Sequence, residues 1–539
     1  MKRGLSTWIR SNITSITSEV CRSFSGCRLL ILSQKGSAMK KKIIFITAVL
    51  SLGIATMCRS QMQDVPYQAT WESLSHYHCP DWFRDAKFGI FIHWGVYSVP
   101  AFGSEWYPRL MYSDTVTWGL NYYEHHVKKY GPVDKFGYKD FIPMFKAEKF
   151  DANQWVDIFK KSGAKYIVPV AEHHDGFAMY HTDLSRWNAA EMGPKRDVIG
   201  EIAEATRKQG LIFGLSSHRS EHWWYMNEGK KRNSDVSDTA YADFYGPATL
   251  FNPFDPKDRV PMSPEYMNDW LLRCCELVER YHPQVFWFDW YIGQPELEPY
   301  RKTFAAYYYN HARAWGKEVV INYKDQAYPD CVAVYDIERG SSKATKAYPW
   351  QTDTSIGKKS WGYIDGEENK TPNELIDMLV DIVSKNGNML LNIGPQSDGT
   401  ITAEQTHVLL SIGKWLDING EGIYGTRPWE VAEEGPTHAS EGSFAEFKPV
   451  NYTAKDIRFT TKNGFVYVFL LDVPVEKVSI SALSTKAGHG VVERVELLGT
   501  NETITWSQKK EALEIGASKH YPSSDAVCYK IVLKKSNEQ

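Results

Sequence analysis

The chain has 539 residues, enough for one large domain and a smaller one, and its formal net charge is −3. This balance gives no electrostatic basis for binding nucleic acid or an anionic membrane surface, so we expect no nucleic-acid partner. Aromatic residues make up 14% of the chain and include 19 Trp, which favours either a large aromatic core or a site that stacks on sugar rings.

The first predicted element is a signal peptide. Residues 40–57 consist of lysines, a short apolar run and small residues, and this run is too short to span a membrane. The signal peptide begins at Met39, so residues 1–60 comprise an upstream extension and the signal itself. We expect export to a periplasm or a cell surface without stable membrane insertion. Cys58 follows the apolar run and could carry a lipid anchor, although the preceding Met57 is larger than the residue that a lipoprotein signal usually has there.

Apolar strands alternate with amphipathic helices between residues 61 and 430. The predicted strand segments lie at 88–95, 164–177, 211–218, 285–293, 319–324, 332–340 and 388–395, and an eighth near 350–356 is poorly marked. The predicted helices lie at 150–162, 197–210, 264–282, 296–316, 373–385 and 402–418. This alternation is typical of a parallel sheet. The number of units, with no GxGxxG turn after the first strand, favours a (β/α)8 barrel over a doubly wound sheet.

Residues 431–539 show short alternating strands instead. The segment 456–474 predicts two strands joined by Lys462-Asn463-Gly464, a hairpin turn signal. The same alternation continues towards the C-terminus. We therefore predict a C-terminal antiparallel β-sandwich that buttresses the barrel.

A carboxylate follows the most apolar strand. Residues 285–288 read Val-Phe-Trp-Phe, which is typical of a parallel strand buried on both faces, and Asp289 comes next. Burying a charge without a partner is costly. Asp289 is therefore either a structural residue, capping the next helix or paired with an arginine, or a catalytic nucleophile.

The ends of the other strands favour catalysis, because the active site of a (β/α)8 barrel lies at the carboxyl ends of its strands. Chemically capable side chains occur at six of these ends: His93, His173, His174, Ser217, His218, Asp289, Lys324 and Glu338. Together with neighbouring tryptophans, this set suits a carbohydrate, whose hydroxyls take polar contacts and whose ring faces stack. The histidines could instead be metal ligands or structural hydrogen-bonding groups. The first strand lacks the HxH pair that barrel metal sites usually carry. Ser217 lacks the GxSxG elbow of a catalytic serine, so we interpret it as a lining hydroxyl. We expect no metal and no organic cofactor.

Several motifs in a fixed order carry a family resemblance. The segments FGIFIHWGVYSVPAFGSEWY, AEHHDGFAMYHT, PKRD, WFD, LLNIGPQSDGTI and GKWLDINGEGIYGTRPW resemble those of the α-L-fucosidases of glycoside hydrolase family 29. The resemblance extends from about residue 70 to 430. It implies a retaining exo-α-L-fucosidase that hydrolyses terminal α-L-fucosyl linkages of a fucosylated glycan through a covalent glycosyl-enzyme intermediate.

The resemblance also implies roles for individual residues. Asp289 matches the nucleophile of the family. The residues that match sugar-binding positions are His93, Glu105, Trp106, His173, His174 and Trp287. His218 and Lys324 stand at neighbouring strand ends and are added to the predicted substrate-binding set.

The sequence departs from the family at the general acid. Many members carry a Trp-Glu pair before Ser-Trp-Gly-Tyr, but this chain has Gln351 there, which cannot donate a proton. We assign the general acid/base to Glu338, which could instead pair with Arg339, and keep Asp353 in reserve. A retaining enzyme needs the two carboxyls about 5–5.5 Å apart.

Two further departures concern Lys324, where the family usually has Arg, and the segment 216–224, which replaces a tyrosine-rich strand end. We place both at the rim of the site, where they affect the leaving group and the linkage. Two alternatives stay open: a catalytically silent fucose-binding protein, which Gln351 makes conceivable, and an exo-glycosidase for a related sugar such as L-galactose. The sequence does not give the oligomeric state.

Overall fold

The computed structural model describes residues 65–448 and 450–534. The predicted upstream extension and signal peptide in residues 1–60, with Cys58, lie outside the described residues. From Ala69 onward the chain forms one compact unit. Within the described ranges, no helix is both long enough and apolar enough to cross a membrane.

Eight parallel strands close into a barrel in chain order, with the eighth paired back to the first. They are β1 (Phe88–Ile92), β2 (Tyr166–Glu172), β3 (Ile212–Ser217), β4 (Val285–Phe288), β5 (Val320–Tyr323), β6 (Val334–Asp336), β7 (Trp350–Ser355) and β8 (Gly387–Ile393). The predicted (β/α)8 barrel is confirmed, including the poorly marked strand, which is β7. Its sequence, WQTDTS, is polar because several of its side chains form hydrogen bonds inside the protein, such as Gln351 Nε2 to Asp336 Oδ2 at 2.6 Å.

Among the residues that the structure describes, twelve α-helices accompany the barrel. Six short ones are α1 (Trp71–Leu74), α2 (Asp81–Ala86), α3 (Tyr107–Leu110), α4 (Tyr122–Tyr130), α7 (Asn227–Lys230) and α8 (Ala242–Tyr245). The six that alternate with strands are α5 (Ala152–Lys161), α6 (Val198–Lys208), α9 (Pro264–Tyr281), α10 (Glu298–Ala314), α11 (Pro372–Ser384) and α12 (Ala403–Asn419). The chain between β5 and β6, and between β6 and β7, is fully described and contains no helix.

The barrel interior is packed with large side chains. One buried cluster joins Phe91, Tyr166, Val285, Trp287 and other residues from the strands. Gly89 on β1 leaves room for the Tyr166 ring, because a Cβ atom at residue 89 would lie 2.4 Å from that ring. The interior is therefore filled below the carboxyl ends of the strands, and only the top of the barrel remains open for a site.

The second domain contains two antiparallel sheets, as predicted. Their strands are β9 (Arg427–Glu434), β10 (Ile457–Lys462), β11 (Phe465–Leu470), β12 (Val478–Ile480), β13 (Val492–Leu497), β14 (Trp506–Gln508), β15 (Leu513–Ile515) and β16 (Val527–Leu533). Five form one sheet, in the order β13-β16-β11-β10-β9, and three form the other, in the order β12-β15-β14. A single apolar cluster joins both sheets, so they pack as a sandwich. β9 begins at residue 427, just before the boundary set at 430.

Candidate active site

A pocket of ≈ 370 Å³ opens at the carboxyl ends of the barrel strands. Its lining residues are His93, Glu105, Trp106, His173, His174, His218, Glu221, Trp287, Asp289, Trp290, Glu338, Asp353 and Trp361. This figure includes space that is open to solvent, so the room enclosed by the side chains is smaller still. The pocket therefore suits one small polar ring better than a long chain.

Asp289 lies in the pocket directly after β4. Its Oδ2 accepts a hydrogen bond from His218 Nδ1 at 2.6 Å and lies 3.4 Å from His174 Nε2, and its Oδ1 accepts one from the Trp290 backbone N–H at 2.8 Å. Burial acts to raise the pKa of Asp289, but His218, His174 and Lys324 together hold that pKa well below its usual range. The carboxylate therefore stays ionised and is held in one orientation.

Hydrogen bonds fix which nitrogen of His218 and His174 carries the proton. Because an ionised carboxylate only accepts, His218 Nδ1 donates to Asp289, and His218 Nε2 pairs with Ser216 Oγ at 2.9 Å. His174 Nδ1 donates to the His218 backbone carbonyl at 2.9 Å. His174 Nε2 is therefore an acceptor that can take a hydrogen bond from a ligand hydroxyl.

His93 presents an acceptor in the same way. Its Nδ1 lies 2.8 Å from Asn392 Oδ1, and the Asn392 amide nitrogen donates to Ser355 Oγ and to the Trp361 carbonyl. The amide is thereby oriented, so His93 Nδ1 is the donor and Nε2 is left to accept. Two ring nitrogens, on His93 and His174, are thus available to bind ligand hydroxyls.

The four pocket histidines form one cluster, with ring centroids between 4.3 and 5.6 Å apart in five neighbouring pairs. Burial and the other histidines lower the pKa values of His93 and His173 well below the usual range. Burial also lowers the pKa of His174 to about 4. These three imidazoles are neutral near pH 7, so each keeps one ring nitrogen that can accept a hydrogen bond.

Glu105 and Trp106 reach the pocket from the loop after β1. Glu105 Oε2 accepts hydrogen bonds at 2.9 Å from Ser360 Oγ and from the Trp361 backbone N–H. Burial raises the pKa of Glu105. The Trp106 ring lies 5.7 Å from the His174 ring and adds an aromatic wall.

Glu338 lies two residues beyond β6, on the pocket wall. Its Oε2 accepts a hydrogen bond from Trp290 Nε1 and lies 3.4 Å from Lys324 Nζ. Burial raises the pKa of Glu338, and the negative charge of Asp289 adds to this effect, although Lys324 opposes it. Glu338 therefore holds a proton to higher pH than an ordinary carboxyl, as a general acid must.

Lys324 lies behind the pocket wall, and our placement of it at the rim is wrong. Its Nζ pairs with Asp336 Oδ1 at 3.0 Å and with Asp353 Oδ1 at 2.6 Å, and its side chain is fully buried. It also lies 5.2 Å from the centre of the Trp287 ring. The ammonium group is held below the pocket because three carboxyls surround it there, so it acts on Glu338 rather than on the mouth of the site.

Asp353 lines the pocket floor and is tied to this lysine. Burial and the adjacent Asp336 raise its pKa well above the usual range. Gln351, two residues earlier, lies inside the barrel, where its amide oxygen accepts a hydrogen bond from Tyr166 at 2.7 Å. Gln351 therefore belongs to the interior network and leaves the pocket carboxyls to do acid–base chemistry.

Glu221 is a pocket carboxyl that the sequence analysis missed. It lies in the 3-10 turn Arg219–Trp223 after β3, with Oε2 3.7 Å from His174 Nδ1. Burial, with Asp289 and Glu338 nearby, raises its pKa well above the usual range. The only signal in the sequence was an acidic residue within the unusual 216–224 segment.

In the described part of the chain, two residue groups have possible ligand atoms within 4.8 Å of one another: His93, His173 and His218, and His174, His218 and Asp289. Both groups include His218, whose two ring nitrogens already contact Asp289 and Ser216. A metal ion in either group would have to displace one of these hydrogen bonds. The geometry thus favours hydrogen bonding to a sugar over metal ligation.

Two family models match the chain. The model described as "Alpha-L-fucosidase" matches residues 54–421, and the one described as "Alpha-L-fucosidase C-terminal domain" matches residues 451–534. The tissue alpha-L-fucosidase of Bos taurus is 32% identical over 493 residues, covering 89% of this chain and 92% of that protein. The plasma alpha-L-fucosidase of Homo sapiens is 35% identical over 448 residues, covering 82% and 86%.

Solved structures agree with these matches. The crystal structure of Thermotoga maritima alpha-fucosidase has a TM-score of 0.70 and 32% identity, covering 86% of this chain and 100% of its own. The same enzyme in complex with fucose gives a TM-score of 0.68. The chain belongs to the alpha-L-fucosidase family.

Proposed function

We propose that this protein is a retaining exo-α-L-fucosidase that releases terminal fucose from glycans. One observation carries the mechanism: an ionised carboxylate, Asp289, and a carboxyl with a raised pKa, Glu338, line the same small pocket. Opposite environments for two carboxyls are the signature of a nucleophile and a general acid. Family membership and the relatives named alpha-L-fucosidase support fucose as the sugar.

The reaction proceeds in two steps. Asp289 attacks the anomeric carbon and forms a glycosyl ester while Glu338 transfers its proton to the glycosidic oxygen, which releases the aglycone as an alcohol. Glu338, now ionised, removes a proton from water, and the resulting attack on the anomeric carbon breaks the ester. Fucose leaves, Asp289 is ionised again, and Glu338 has regained its proton.

The surrounding groups have distinct tasks in this scheme. His218 holds Asp289 through the 2.6 Å hydrogen bond, which keeps Oδ2 in place for attack. His93 and His174 accept hydrogen bonds from sugar hydroxyls. Because the pocket is small and closed at its base by the packed barrel, it suits the terminal residue of a glycan.

The test uses wild-type protein and the Asp289→Ala variant with an aryl α-L-fucoside. We expect the variant to lose hydrolysis by ~10⁴-fold or more, because it lacks the nucleophile. The matched control is Asp175→Asn, a buried aspartate outside the pocket whose Oδ2 accepts a hydrogen bond from Tyr138; it should keep most activity.

A mechanism-based 2-fluoro-fucosyl fluoride should also add one fluorofucosyl group to the peptide that contains Asp289, as measured by mass spectrometry. Labelling of another residue would refute the assignment of the nucleophile. If the wild-type protein binds fucose tightly but hydrolyses no fucoside, the protein is a fucose-binding protein and the proposed enzymatic function is wrong.

A further inference from the structure

We propose that Phe444 and Phe447, in the link between strands β9 and β10 of the β-sandwich, form the binding site for the sugar that carries the fucose. Together with Trp290 they make an aromatic row beside Glu338. The inference rests on the proposed function, because it takes Glu338 as the group that protonates the leaving oxygen. The ligand is a pyranose that presents a C–H face to the rings.

The link is hydrogen-bonded to the loop that follows β6. The backbone N–H of Phe444 donates to the Glu338 carbonyl at 2.7 Å, and the backbone N–H of Glu446 donates to the Arg339 carbonyl at 3.0 Å. Gly442 N–H donates to the Ser341 carbonyl at 2.9 Å. These bonds place the link against the residue that we assign as general acid.

Buried ion pairs hold the same segment in place. Glu446 Oε1 lies 2.7 Å from Arg339 Nη1 and 3.2 Å from Lys370 Nζ, and Glu446 Oε2 accepts a hydrogen bond from Thr354 at 2.6 Å. The Glu446 side chain is only 7% exposed. A segment fixed in this way can hold its aromatic rings in position before a ligand arrives, which lowers the entropic cost of binding.

The rings form a row that leads away from the acid. Trp290, which donates its Nε1–H to Glu338, lies with its ring centroid 6.2 Å from that of Phe444, at an interplanar angle of 14°. Phe444 and Phe447 are also 6.2 Å apart, at 4°. The two phenylalanines are 45% and 60% exposed. Arg339 Cζ lies over the Phe447 ring, 5.9 Å from its centre, so a ligand would contact the exposed part of each ring.

The conformation of Phe444 gives an independent reason to infer function. Its φ is +62°, in the left-handed region that bulky residues rarely adopt. Such strain persists only when the surrounding contacts impose it, and it concentrates at ligand sites. Here the strained backbone keeps a large apolar ring at the surface, where it gains little for folding.

The position of the glycosidic oxygen indicates which ligand the aromatic row binds. When fucose lies in the pocket, its glycosidic oxygen must be within hydrogen-bonding reach of Glu338. The sugar attached to that oxygen therefore extends along the wall that Glu338 occupies, where the aromatic row begins. Exposed aromatic rings suit the apolar C–H face of a pyranose.

The experiment compares two substrates. In α-L-fucosyl fluoride the leaving group is a single fluoride ion, which has no ring to stack. The second substrate is the fucosyl disaccharide that the wild type cleaves fastest from a panel of linkages. The variants are Phe447→Ala and Phe444→Asn, since Asn tolerates positive φ.

We expect each variant to lose about three- to tenfold in kcat/KM on the disaccharide, which corresponds to one aromatic contact, with little change on the fluoride. The variant Phe447→Tyr should behave like wild type. Phe254→Ala is the control, because Phe254 is 71% exposed but lies next to Trp106 and Trp224; it should leave both substrates unchanged.

The other outcomes are distinct. Equal losses on both substrates, or no loss on either, overturn the proposed sugar site while leaving the fucosidase function intact. A loss on the disaccharide in Phe254→Ala alone places the leaving group on another wall and also overturns it. A wild type that hydrolyses neither substrate refutes the proposed function, and the inference with it.

Discussion

The carboxyl groups in and below the pocket differ in how readily they hold a proton. Asp289, Asp336, Glu338 and Asp353 all act on Lys324, and one ammonium group cannot balance four carboxylates. Burial raises the pKa values of Glu338 and Asp353, whereas His218, His174 and Lys324 together lower that of Asp289 despite its burial. In the proposed mechanism, this difference in pKa separates the nucleophile Asp289 from the acid Glu338 before a substrate binds.

The pH dependence of kcat/KM should follow this order. Activity needs an ionised Asp289, so it is lost only as the pH falls through a pKa below the usual carboxyl range. Activity on an unactivated fucoside also needs a protonated Glu338, so it declines as the pH rises through a pKa above that range. With α-L-fucosyl fluoride, whose leaving group needs no proton, the alkaline decline should disappear; an identical decline with both substrates would assign it to another group.

Replacing Glu338 by Ala should slow hydrolysis of an aryl fucoside by roughly 10²–10⁴-fold. Added azide should restore turnover and yield fucosyl azide, because azide attacks the glycosyl ester without help from a base. Asp353→Ala should also lose activity, since Lys324 loses a partner at 2.6 Å, but azide should not rescue it. Rescue of Asp353→Ala alone would move the acid/base role to that residue.

The sequence predicted most pocket residues because strand ends converge at one face of a barrel. His93, His173, His218, Asp289 and Glu338 could be placed from strand register alone. Glu221 could not, because it reaches the pocket through a short 3-10 turn whose direction no periodicity encodes. The sequence also did not show that Lys324 is buried below the pocket, because its position depends on Asp336 of β6 and Asp353 of β7.

Strand β2 depends on a buried charge network at its carboxyl end. Glu172, its last residue, is 2% exposed and pairs with Arg219 and with Arg273, the latter at 3.1 Å. Its backbone carbonyl accepts a hydrogen bond from His218 N–H at 3.0 Å. The network therefore supports the position of His218, which is hydrogen-bonded to Asp289.

Glu172→Gln should lower the free energy of unfolding by about 3–5 kcal/mol, because it leaves two buried guanidinium groups short of negative charge. Chemical denaturation followed by tryptophan fluorescence measures this. The control is Asp243→Asn, which disturbs an exposed pair with Arg186 at 2.8 Å and should cost less than about 1 kcal/mol. Similar losses in both variants would contradict the proposed importance of the buried network.

Elements with local signals were predicted closely. Helix α5 lies within the predicted segment 150–162. Its N-cap is Asp151, whose Oδ1 accepts hydrogen bonds from the backbone N–H groups of Asn153 and Gln154 at 2.9 and 3.1 Å. Strand β7 had only a weak signal because Gln351, Thr352 and Thr354 satisfy their polar groups through residues distant in sequence.

Buried ion pairs and hydrogen bonds join the barrel to the β-sandwich. Arg458 on β10 pairs with Asp381 on α11 at 2.6 Å, and Lys385, just after α11, pairs with Glu433 on β9 at 2.9 Å. Trp415 on α12 donates to the Ala526 carbonyl at 2.6 Å. The sequence predicted a buttressing sandwich, but it could not identify these partners, because they lie tens of residues apart and carry no periodic pattern.

This contact predicts that the barrel and the sandwich unfold together. The Arg458 side chain is 1% exposed, so Arg458→Met leaves the interface without a cation that Asp381 and Glu433 both face. Removing one member of a buried ion-pair network costs about 3–5 kcal/mol. In a thermal scan we therefore expect one transition for the wild type and one transition at lower temperature for the variant.

The control for this prediction is Arg494→Met on β13 of the same sandwich. Arg494 is 61% exposed and pairs with Glu496 at 2.6 Å, so its loss should cost less than about 1 kcal/mol. Two separate transitions in Arg458→Met, with only one displaced, would mean that the domains unfold independently. A single displaced transition means that the sandwich contributes to the stability of the active site. The link that carries Phe444 and Phe447 is part of the sandwich and is hydrogen-bonded to Glu338 and Arg339 of the barrel.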